Sequence, residues 1–505
     1  MTVRHLLRSI AALVPAEARG ALDAPGLDVA CTGVTYDSRI VTPGAVFVAL
    51  LGQRADGAAF APQAVSAGAA AVVAAVGVPP VPGTAWLPVS DPRLALALLA
   101  AEFNGHPSRA MRVVGVTGTN GKTTTGYLVR AILEAAGIKC GLMGTVAYYI
   151  GDRVIEASRT TPEAPYVQAF LRQMHDEACG ACVMEVSSHA LALRRVDGLE
   201  FAAGVFTNLT RDHLDFHVNM EGYFAAKRRL FEMLPRGAPA LINMDDPRGA
   251  ALVEASGSPV TYGINKPADV APGPLAFSLD GLTFDVRTPQ GTVHVTSSLV
   301  GRPNVYNLLG AIGVTAAIGI PLDAIERGIA GLAGVSGRFE VVSRPGDDIT
   351  VIVDYAHTDD ALRNLLETAR PLAPERLITL FGCGGDRDRT KRPLMGMVAA
   401  RLSDVVVITS DNPRSEDPSR IIDEIKRGIP AGGQAGRPQD VLAIVDRREA
   451  IESAIEQAEP GDLLLIAGKG HEKYQQIGDR VLPFDDAQVA RGALERRRKR
   501  PAGTA

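Results

Sequence analysis

Apolar runs closed by glycine, proline and polar clusters set the rhythm of this chain. Met111 to Val116 is a short apolar run that ends in a glycine-rich turn, and Tyr127 to Ala136 then carries helix-compatible residues. Strand, turn and helix in that order predict a parallel-sheet unit, because a strand buried on both faces reads as a continuous apolar run. Upstream, Ala45 to Leu51 predicts a buried strand, a helix follows from about Phe60 to Gly68, and Ala69 to Val76 predicts a second strand. Pro79, Pro80, Pro82 and Gly83 mark the turn after it. Downstream, Tyr166 to Ala178 predicts a helix, Ala181 to Glu185 and Phe201 to Thr207 predict strands, and Met220 to about Leu234 predicts a helix. Tyr262 to Pro274 reads as a Pro/Gly-rich connection. Phe277, Leu279, Leu282, Phe284, Val286, Val293 and Val295 then alternate around Asp280-Gly281 and Gln290-Gly291, the pattern of antiparallel hairpins. Asn304 and Asn307 open a small-residue helix that runs to about Ile318. Four further apolar strands follow, Thr350 to Val353, Leu377 to Phe381, Val405 to Thr409 and Leu463 to Ala467, each succeeded by a polar cluster.

These elements predict an α/β protein of three domains. Residues 1–108 form a small N-terminal α/β domain. Residues 109–337 form a central nucleotide-binding domain with a parallel sheet and a small antiparallel sheet. Residues 338–505 form a C-terminal Rossmann-like domain of repeated strand and helix. A length of 505 residues agrees, at about 150 residues per domain.

Composition narrows the class. With 46% hydrophobic and 21% charged residues the chain is an ordinary globular protein, and a net charge of −4 gives no global attraction to nucleic acid or membrane. The basic run Arg496 to Arg500 reads as a solvated helix end that frays into Pro501, Ala502 and Gly503, in preference to a nucleic-acid tail. No apolar run is long enough to span a bilayer, and Arg8 interrupts any N-terminal signal region, so a cytoplasmic protein is expected. The five cysteines are scattered. Cys179 and Cys182 form a lone CxxC and read as two buried thiols, with no partners for zinc or redox use.

The turn after Val116 carries the first chemistry. Thr117-Gly118-Thr119-Asn120-Gly121-Lys122-Thr123-Thr124-Thr125 is a phosphate cradle: its glycines let backbone N–H groups face an anion, and the following helix adds its N-terminal partial charge. Lys122 would reach the outer phosphates and Thr123 could hold Mg²⁺ through its hydroxyl. The usual pattern has glycine where this chain has Val116. Glu185 closes a predicted strand, and Asp212, His213 and Asp215 follow another. Carboxylates and histidine at strand ends near a phosphate loop suit Mg²⁺. Ser38, Gln53 and Arg54 read either as contacts to a phosphorylated ligand or as turn and surface chemistry. Asn304 reads as a helix N-cap or as a base or ribose contact. Lys227 shares its helix with Arg228 and Arg229 and reads from the sequence as a solvated lysine. In the last domain the clusters at Asp354, at Gly382 to Arg387, at Asp411 to Arg414 and at Gly468 to Glu472 fall at strand ends that share one edge of a parallel sheet, where ligands bind. A cradle plus a second crevice predicts ligation: a phosphoryl group activates a carboxylate and an amine attacks it.

Seven motifs in consistent order, from about Thr35 to about Asp485, resemble the Mur ligase family. They are Thr117 to Thr124, Glu185-Val-Ser-Ser-His189, Asn208 to Asp215, Tyr223 to Lys227, Asp354-Tyr-Ala-His357, Asp411-Asn412-Pro413-Arg414 and Gly468-Lys-Gly-His-Glu472. The resemblance implies an ATP- and Mg²⁺-dependent amide ligase of cytoplasmic peptidoglycan synthesis, acting as a monomer. Its implied substrates are UDP-MurNAc-L-Ala-D-Glu and an amino acid. Tyr36, Ser38, Gln53, Arg54 and Ala55 match positions that hold the UDP end. Thr160, Thr161, Ser187 and Arg195 match positions that hold the muramyl peptide. Gly118 to Thr124 carry over as the phosphate loop, Glu185 and His213 as metal ligands, and Asn304, Arg338 and Asp354 as contacts to adenine, phosphate and ribose. Lys227 matches a lysine that is carbamylated in the family, which turns a cation into a metal-binding carboxylate surrogate.

The tetrapeptide Asp411 to Arg414 points to meso-diaminopimelate. That amino acid differs from lysine by a distal carboxylate, and the planar fork of Arg414 suits a carboxylate. Arg387, Gly468 and Glu472 complete the pocket implied by the family, with Glu472 toward the ammonium. A lysine-adding or folylpolyglutamate synthase-like ligase, and a nucleotide-dependent switch, are the alternatives. Departures from the family pattern are Asp359 in place of proline, Leu193 in place of a glutamine, and Arg159 before Thr160-Thr161.

Overall fold

A computed structural model describes residues 1–52, 55–430 and 440–499. Three successive α/β units lie along the chain. The first is built on a four-stranded parallel sheet of Val34–Thr35, Val46–Val48, Ala71–Ala75 and Ala85–Val89, in that order. Alternate residues face opposite sides. Val46, Val48 and Val73 pack against Leu6, Leu7, Leu96 and Leu99 of helices Val3–Arg8 and Pro92–Phe103, and Phe47, Val72 and Ala74 pack against Ala61 and Ala64 on the other side.

The second unit is centred on an eight-stranded sheet, ordered Pro259–Tyr262, Ala240–Asn243, Ala203–Phe206, Arg112–Thr117, Ala181–Glu185, Cys140–Met143, Ala147–Ile150 and Arg153–Glu156. All pairings are parallel up to Cys140–Met143, and the last two strands add antiparallel. The cradle strand Arg112–Thr117 lies in the interior, between Ala203–Phe206 and Ala181–Glu185. That placement brings Thr117, Glu185 and Thr207 to one sheet edge. The hairpins appear as predicted, with Leu282, Phe284, Val286, Val293 and Val295 buried beneath Gly281–Thr288 and Gly291–Ser297. The stretch expected as a plain connection contains a short strand, Ala271–Pro272, paired with Arg287 and Val286.

The third unit has a six-stranded sheet, ordered Glu340–Val341, Thr350–Asp354, Leu463–Ala467, Leu377–Phe381, Val405–Ile408 and Asp440–Ala443. Only the first pairing is antiparallel. The strand of this sheet that comes last in sequence, Leu463–Ala467, inserts between Thr350–Asp354 and Leu377–Phe381, so its terminal cluster Gly468–Glu472 sits among those that follow Asp354, Phe381 and Ile408. Helices cover both faces.

The basic run closes helix Asp486–Lys499 with Arg496, Arg498 and Lys499 exposed, as expected of a solvated helix end, and it is also paired: Arg496 with Glu452 at 3.0 Å, Arg497 with Asp348 at 2.6 Å and Arg498 with Asp347 at 2.5 Å. Arg500 and the proline-glycine end lie outside the described residues. Asn304 is no N-cap, because Gly301 caps helix Arg302–Ala317 and the Asn304 amide donates to the Val300 carbonyl at 2.8 Å. Asp359, where proline was expected, is the first residue of helix Asp359–Ala369 behind the Thr358 cap; its charge suits the helix dipole there. Cys179 and Cys182 are free and buried, as expected. Among the described residues no helix is long and apolar enough to cross a membrane.

Candidate active site

The cradle is shaped by two glycines that no other residue can replace. Gly118 has φ +150° and Gly121 has φ +86°. A Cβ on Gly118 would lie 1.8 Å from the Thr207 hydroxyl, and one on Gly121 would lie 2.4 Å from Asn307 Oδ1. The neighbouring strand end clamps the loop. Asn208 Oδ1 accepts from the Asn120 N–H at 2.9 Å, the Asn208 carbonyl accepts from the Thr119 N–H at 2.8 Å, and the Thr207 hydroxyl donates to the Asn120 carbonyl at 2.6 Å. Helix Lys122–Ala135 starts at once, with Thr123, Thr124 and Thr125 buried. Lys122 Nζ donates to the carbonyls of Gly118 at 3.0 Å and Thr119 at 2.8 Å, and burial lowers its pKa against the attraction of Glu185.

Glu185 is buried and wired to the cradle. Its Oε2 accepts from Thr123 Oγ1 at 3.1 Å and Thr145 Oγ1 at 3.0 Å, and its Oε1 accepts from the Thr145 N–H at 2.8 Å. Lys227 departs most from the sequence reading. It is 1% exposed, with Nζ 2.6 Å from the Gly118 carbonyl and 4.5 Å from the centroid of the Tyr223 ring. Its neighbours Arg228 and Arg229 point elsewhere, to Glu232 and Asp197. Burial, with the charge of Lys122 adding to it, holds the Lys227 amine well below its usual pKa. His213 sits at φ +52°, its Nε2 3.3 Å from Asp212 Oδ2, and its ring 6.2 Å from that of Tyr223. Burial pushes its pKa down to about 4, although Asp212 opposes this.

Thr123 and Glu185 are therefore in contact, and Tyr223 touches both Lys227 and His213. The hydroxyl and carboxylate oxygens suit a hard cation such as Mg²⁺, and among the described residues the buried Thr117 Oγ1 at the foot of the loop has no hydrogen-bond partner. Among the described residues no group of three His, Cys, Asp or Glu side chains forms a ligand set.

The four positions matched to the muramyl peptide form one network beside Glu185. Thr160 Oγ1 lies 3.0 Å from Thr145 Oγ1, Thr161 Oγ1 donates to the Glu185 carbonyl at 2.8 Å, and the Ser187 N–H donates to Thr161 Oγ1 at 3.1 Å. Arg195 donates to the Thr161 carbonyl at 3.0 Å and pairs with Glu163 at 2.7 Å, leaving its buried Nε without a partner. Arg159 reaches the same Glu163 at 3.2 Å, and Leu193 merely ends the short helix Ser188–Ala192. In the N-terminal unit Ser38 is buried and donates to Gln63 at 2.8 Å, Tyr36 is half-buried, and Ala55 is exposed in the turn whose carbonyl holds the Gly52 N–H at 3.0 Å. Gln53 and Arg54 lie outside the described residues.

The third unit leans over the cradle. Arg338 Nη2 donates to Thr123 Oγ1 at 3.1 Å, its guanidinium stacks 4.6 Å from the Tyr355 centroid, and its buried Nε has no partner. Asn120 Nδ2 donates to Asp360 at 3.2 Å, and Arg211 reaches Asp388 at 3.3 Å. Asp354 accepts from the N–H groups of Phe339 at 2.7 Å and Ala356 at 2.8 Å, and burial raises its pKa. Asn304 Oδ1 accepts from Asn307 at 2.9 Å, and Asn307 Oδ1 accepts from Thr125 Oγ1 at 3.4 Å, so the asparagine pair ties its helix to the helix that follows the cradle.

The strand-end clusters converge in this unit. Arg414 sits at φ +50°, held by hydrogen bonds with Gln476 at 3.1 Å and Gly478 at 2.7 Å. Its Nη1 donates to the Gly385 carbonyl at 2.6 Å; among the described residues its Nε and Nη2 have no hydrogen-bond partner. Arg387 is exposed, and a Cβ on Gly384 would lie 2.9 Å from Arg414 Nη1 and 3.8 Å from Arg387 Cγ. Asp411, Asn412 and Pro413 are buried, and a Cβ on Gly468 (φ +114°) would meet Asp411 Oδ2 at 2.9 Å. Glu472 accepts from Asn412 at 2.8 Å and Lys469 at 3.0 Å. Underneath, fully buried Arg447 pairs with buried Asp486 at 2.7 Å and donates to the carbonyls of Ser410 at 3.3 Å and Ala467 at 3.0 Å, the residues just ahead of Asp411 and Gly468. Sequence reasoning passed over Thr145, Glu163 and Arg447, and gave Tyr223 no role beyond its place in a motif. A Gly-Thr pair right after strand Cys140–Met143 was the one local signal for Thr145; the others act through contacts distant in sequence.

Comparison with known proteins identifies the family. Residues 30–104 match the model for the Mur ligase family, catalytic domain; residues 116–315 match the Mur ligase middle domain; residues 337–470 match the Mur ligase, glutamate ligase domain. A curated relative from Alkaliphilus metalliredigens, named UDP-N-acetylmuramoyl-L-alanyl-D-glutamate–2,6-diaminopimelate ligase, is 48% identical over 463 residues, covering 91% of this chain and 92% of its own. A solved structure under the same enzyme name superposes with a TM-score of 0.67 at 34% identity, over 95% of this chain and 97% of that one. MurF ligase from Thermotoga maritima, solved in complex with ADP, shares the fold, with a TM-score of 0.64 at 18% identity over 92% of this chain and 98% of that one. The chain belongs to the Mur ligase family.

Proposed function

We propose that this ligase joins meso-diaminopimelate to the D-glutamate of UDP-MurNAc-L-Ala-D-Glu at the expense of ATP, in cytoplasmic peptidoglycan precursor synthesis. The glutamate carboxylate attacks the γ-phosphorus and ADP leaves. The amine of diaminopimelate then attacks the acyl phosphate, loses a proton and expels phosphate. Positioning and charge neutralisation carry such chemistry. Gly118 to Thr124 cradle the phosphates with Lys122 on their outer oxygens, and Asn304, Arg338 and Asp354 frame the rest of the nucleotide. Thr123, Glu185, His213 and Lys227 would hold Mg²⁺, which supplies charge compensation on the phosphate oxygens. Buried as a neutral amine, Lys227 can add CO₂ at Nζ with loss of a proton, giving the carbamate oxygens that a metal requires.

Residues 1–108 receive the UDP end through Tyr36, Ser38, Gln53, Arg54 and Ala55. Residues 109–337 receive ATP, and Thr160, Thr161, Ser187 and Arg195 hold the peptide next to Glu185. Residues 338–505 deliver the amino acid, and the enzyme works as a monomer.

The observation that carries the choice of amino acid is Arg414. A non-glycine residue in the left-handed region costs about 1 kcal/mol or more. Here two guanidinium nitrogens of Arg414 are without a partner among the described residues, and Arg387 and Glu472 belong to neighbouring strand-end clusters. That is an arrangement for a substrate with a carboxylate and an ammonium at the same end. The test is ligation of UDP-MurNAc-L-Ala-D-Glu with meso-diaminopimelate and with L-lysine in parallel, following phosphate release and product mass. Diaminopimelate should be favoured by a factor on the order of 10⁴. Equal turnover of both overturns the assignment, and ATP hydrolysis indifferent to either amino acid supports a nucleotide switch instead.

A further inference from the structure

Lys469 belongs to neither the cradle nor the set matched to substrate, yet every polar contact of its side chain goes to the amino-acid cluster. It is fully buried. Its Nζ lies 3.0 Å from Glu472 Oε2, 3.1 Å from Asn412 Oδ1 and 3.8 Å from Asp411 Oδ1, and 5.4 Å from the Tyr474 centroid. Asn412 completes the frame. Its Nδ2 donates to the same Glu472 Oε2 at 2.8 Å, and its Oδ1 also accepts from the Gln476 N–H at 2.9 Å. The Asn412 side chain is thus spent inside the protein, while Glu472 Oε1 has no hydrogen-bond partner among the described residues.

We infer that Lys469 is a positioning residue for the incoming amino acid: with Asn412 it ties down one oxygen of Glu472 and reserves the other for the substrate ammonium. The inference rests on the diaminopimelate reading above. Two carboxylates, Asp411 and Glu472, border this pocket, and like charges there repel unless a cation lies between them. Lys469 is that cation. A lysine serving only the core would have no reason to direct all its donors to three residues of one substrate cluster. A loose Glu472 would have many orientations in which neither oxygen meets the amine, so its ordering cost would be charged to amino-acid binding.

The test is steady-state kinetics on the full chain. Lys469→Met should raise KM for diaminopimelate by roughly 10- to 100-fold, the loss expected for a buried charged hydrogen bond, and leave KM for ATP and for the UDP-dipeptide unchanged. In a double-mutant cycle, Lys469→Met should add little to Glu472→Gln, because both act on one contact. Where Lys469→Met fails to fold, Lys469→Gln is read in the same assay. An unchanged KM for diaminopimelate, equal rises for all three substrates, or additive effects in the cycle would each overturn the role of Lys469. A wild-type enzyme that does not ligate diaminopimelate would instead overturn the functional reading beneath it.

Discussion

Lys227 and Lys469 are both buried in the folded chain, in opposite company. Lys227 meets a backbone carbonyl and the face of Tyr223, has Lys122 as a repelling neighbour, and is drawn only weakly by Asp212. Lys469 lies against Glu472 and Asp411. A buried amine without a carboxylate gives up its proton, and one flanked by carboxylates serves as a charged strut. The first environment keeps a nucleophilic amine in reserve for a reaction with CO₂. The second fixes the geometry of an acid that must meet a substrate ammonium. Identical side chains at similar depth thus serve chemistry in one region and architecture in the other.

The largest effect should come from removing the reactive amine. Lys227→Ala is expected to lower kcat by a factor on the order of 10³, as for loss of one electrostatic group in a phosphoryl-transfer site. Short-chain carboxylates in the assay buffer should partly restore turnover by replacing the carbamate oxygens. Full activity of the alanine variant would end the contrast between the two lysines.

In the amino-acid region, Arg414→Met should cost roughly 10²- to 10³-fold in kcat/KM for diaminopimelate, the range for losing one partner of a buried ion pair. It should spare L-lysine as a substrate, so the ratio of the two specificity constants is the measurement. The kinetics of Lys469→Met come next in size and separate a strut from a ligand.

The smallest effect concerns stability and has the opposite sign to the effect on activity. The folded-state pKa of Lys227 lies well below its ordinary value of 10.5, so between those two pKa values the unfolded chain binds more protons than the folded one. Stability therefore rises with pH across that window, and the cost of burying Lys227 is largest below it. In CO₂- and metal-free buffer, Lys227→Met should raise Tm by a few degrees at pH 7 and by less at pH 9.5. A gain independent of pH would mean that better packing, and not deprotonation, explains it.

Much of the site was legible in the chain because its signals are local. Thr117 to Thr125 announces a phosphate loop, since strand, glycines and helix start lie within ten residues and their backbone directions follow from chirality and hydrogen bonding. The four apolar strands of the last unit, and the polar clusters behind them, follow from the same short-range logic. So does the alternation of Leu282, Phe284 and Val286. Lys227 was misread for the converse reason. Two arginines follow it, and nothing near it in sequence says that the helix turns that one position toward Gly118, 109 residues away. The ion pairs of Arg496 to Arg498 were invisible likewise, because their acids Glu452, Asp347 and Asp348 come from distant elements.

The sequence by itself determined the α/β class, the cradle, and the residue types a ligase of this family needs. Only the tertiary structure decided which of them are wired together. It placed Glu185 against Thr123 and Thr145, spent the Asn412 amide on Glu472 and Lys469, and left two nitrogens of Arg414 without partners among the described residues. The physical reason is range. Backbone conformation and strand or helix preference are set by a few neighbouring residues, whereas the protonation of a buried lysine or the free oxygen of a glutamate depends on burial and on partners that only the folded chain brings within 3 to 4 Å.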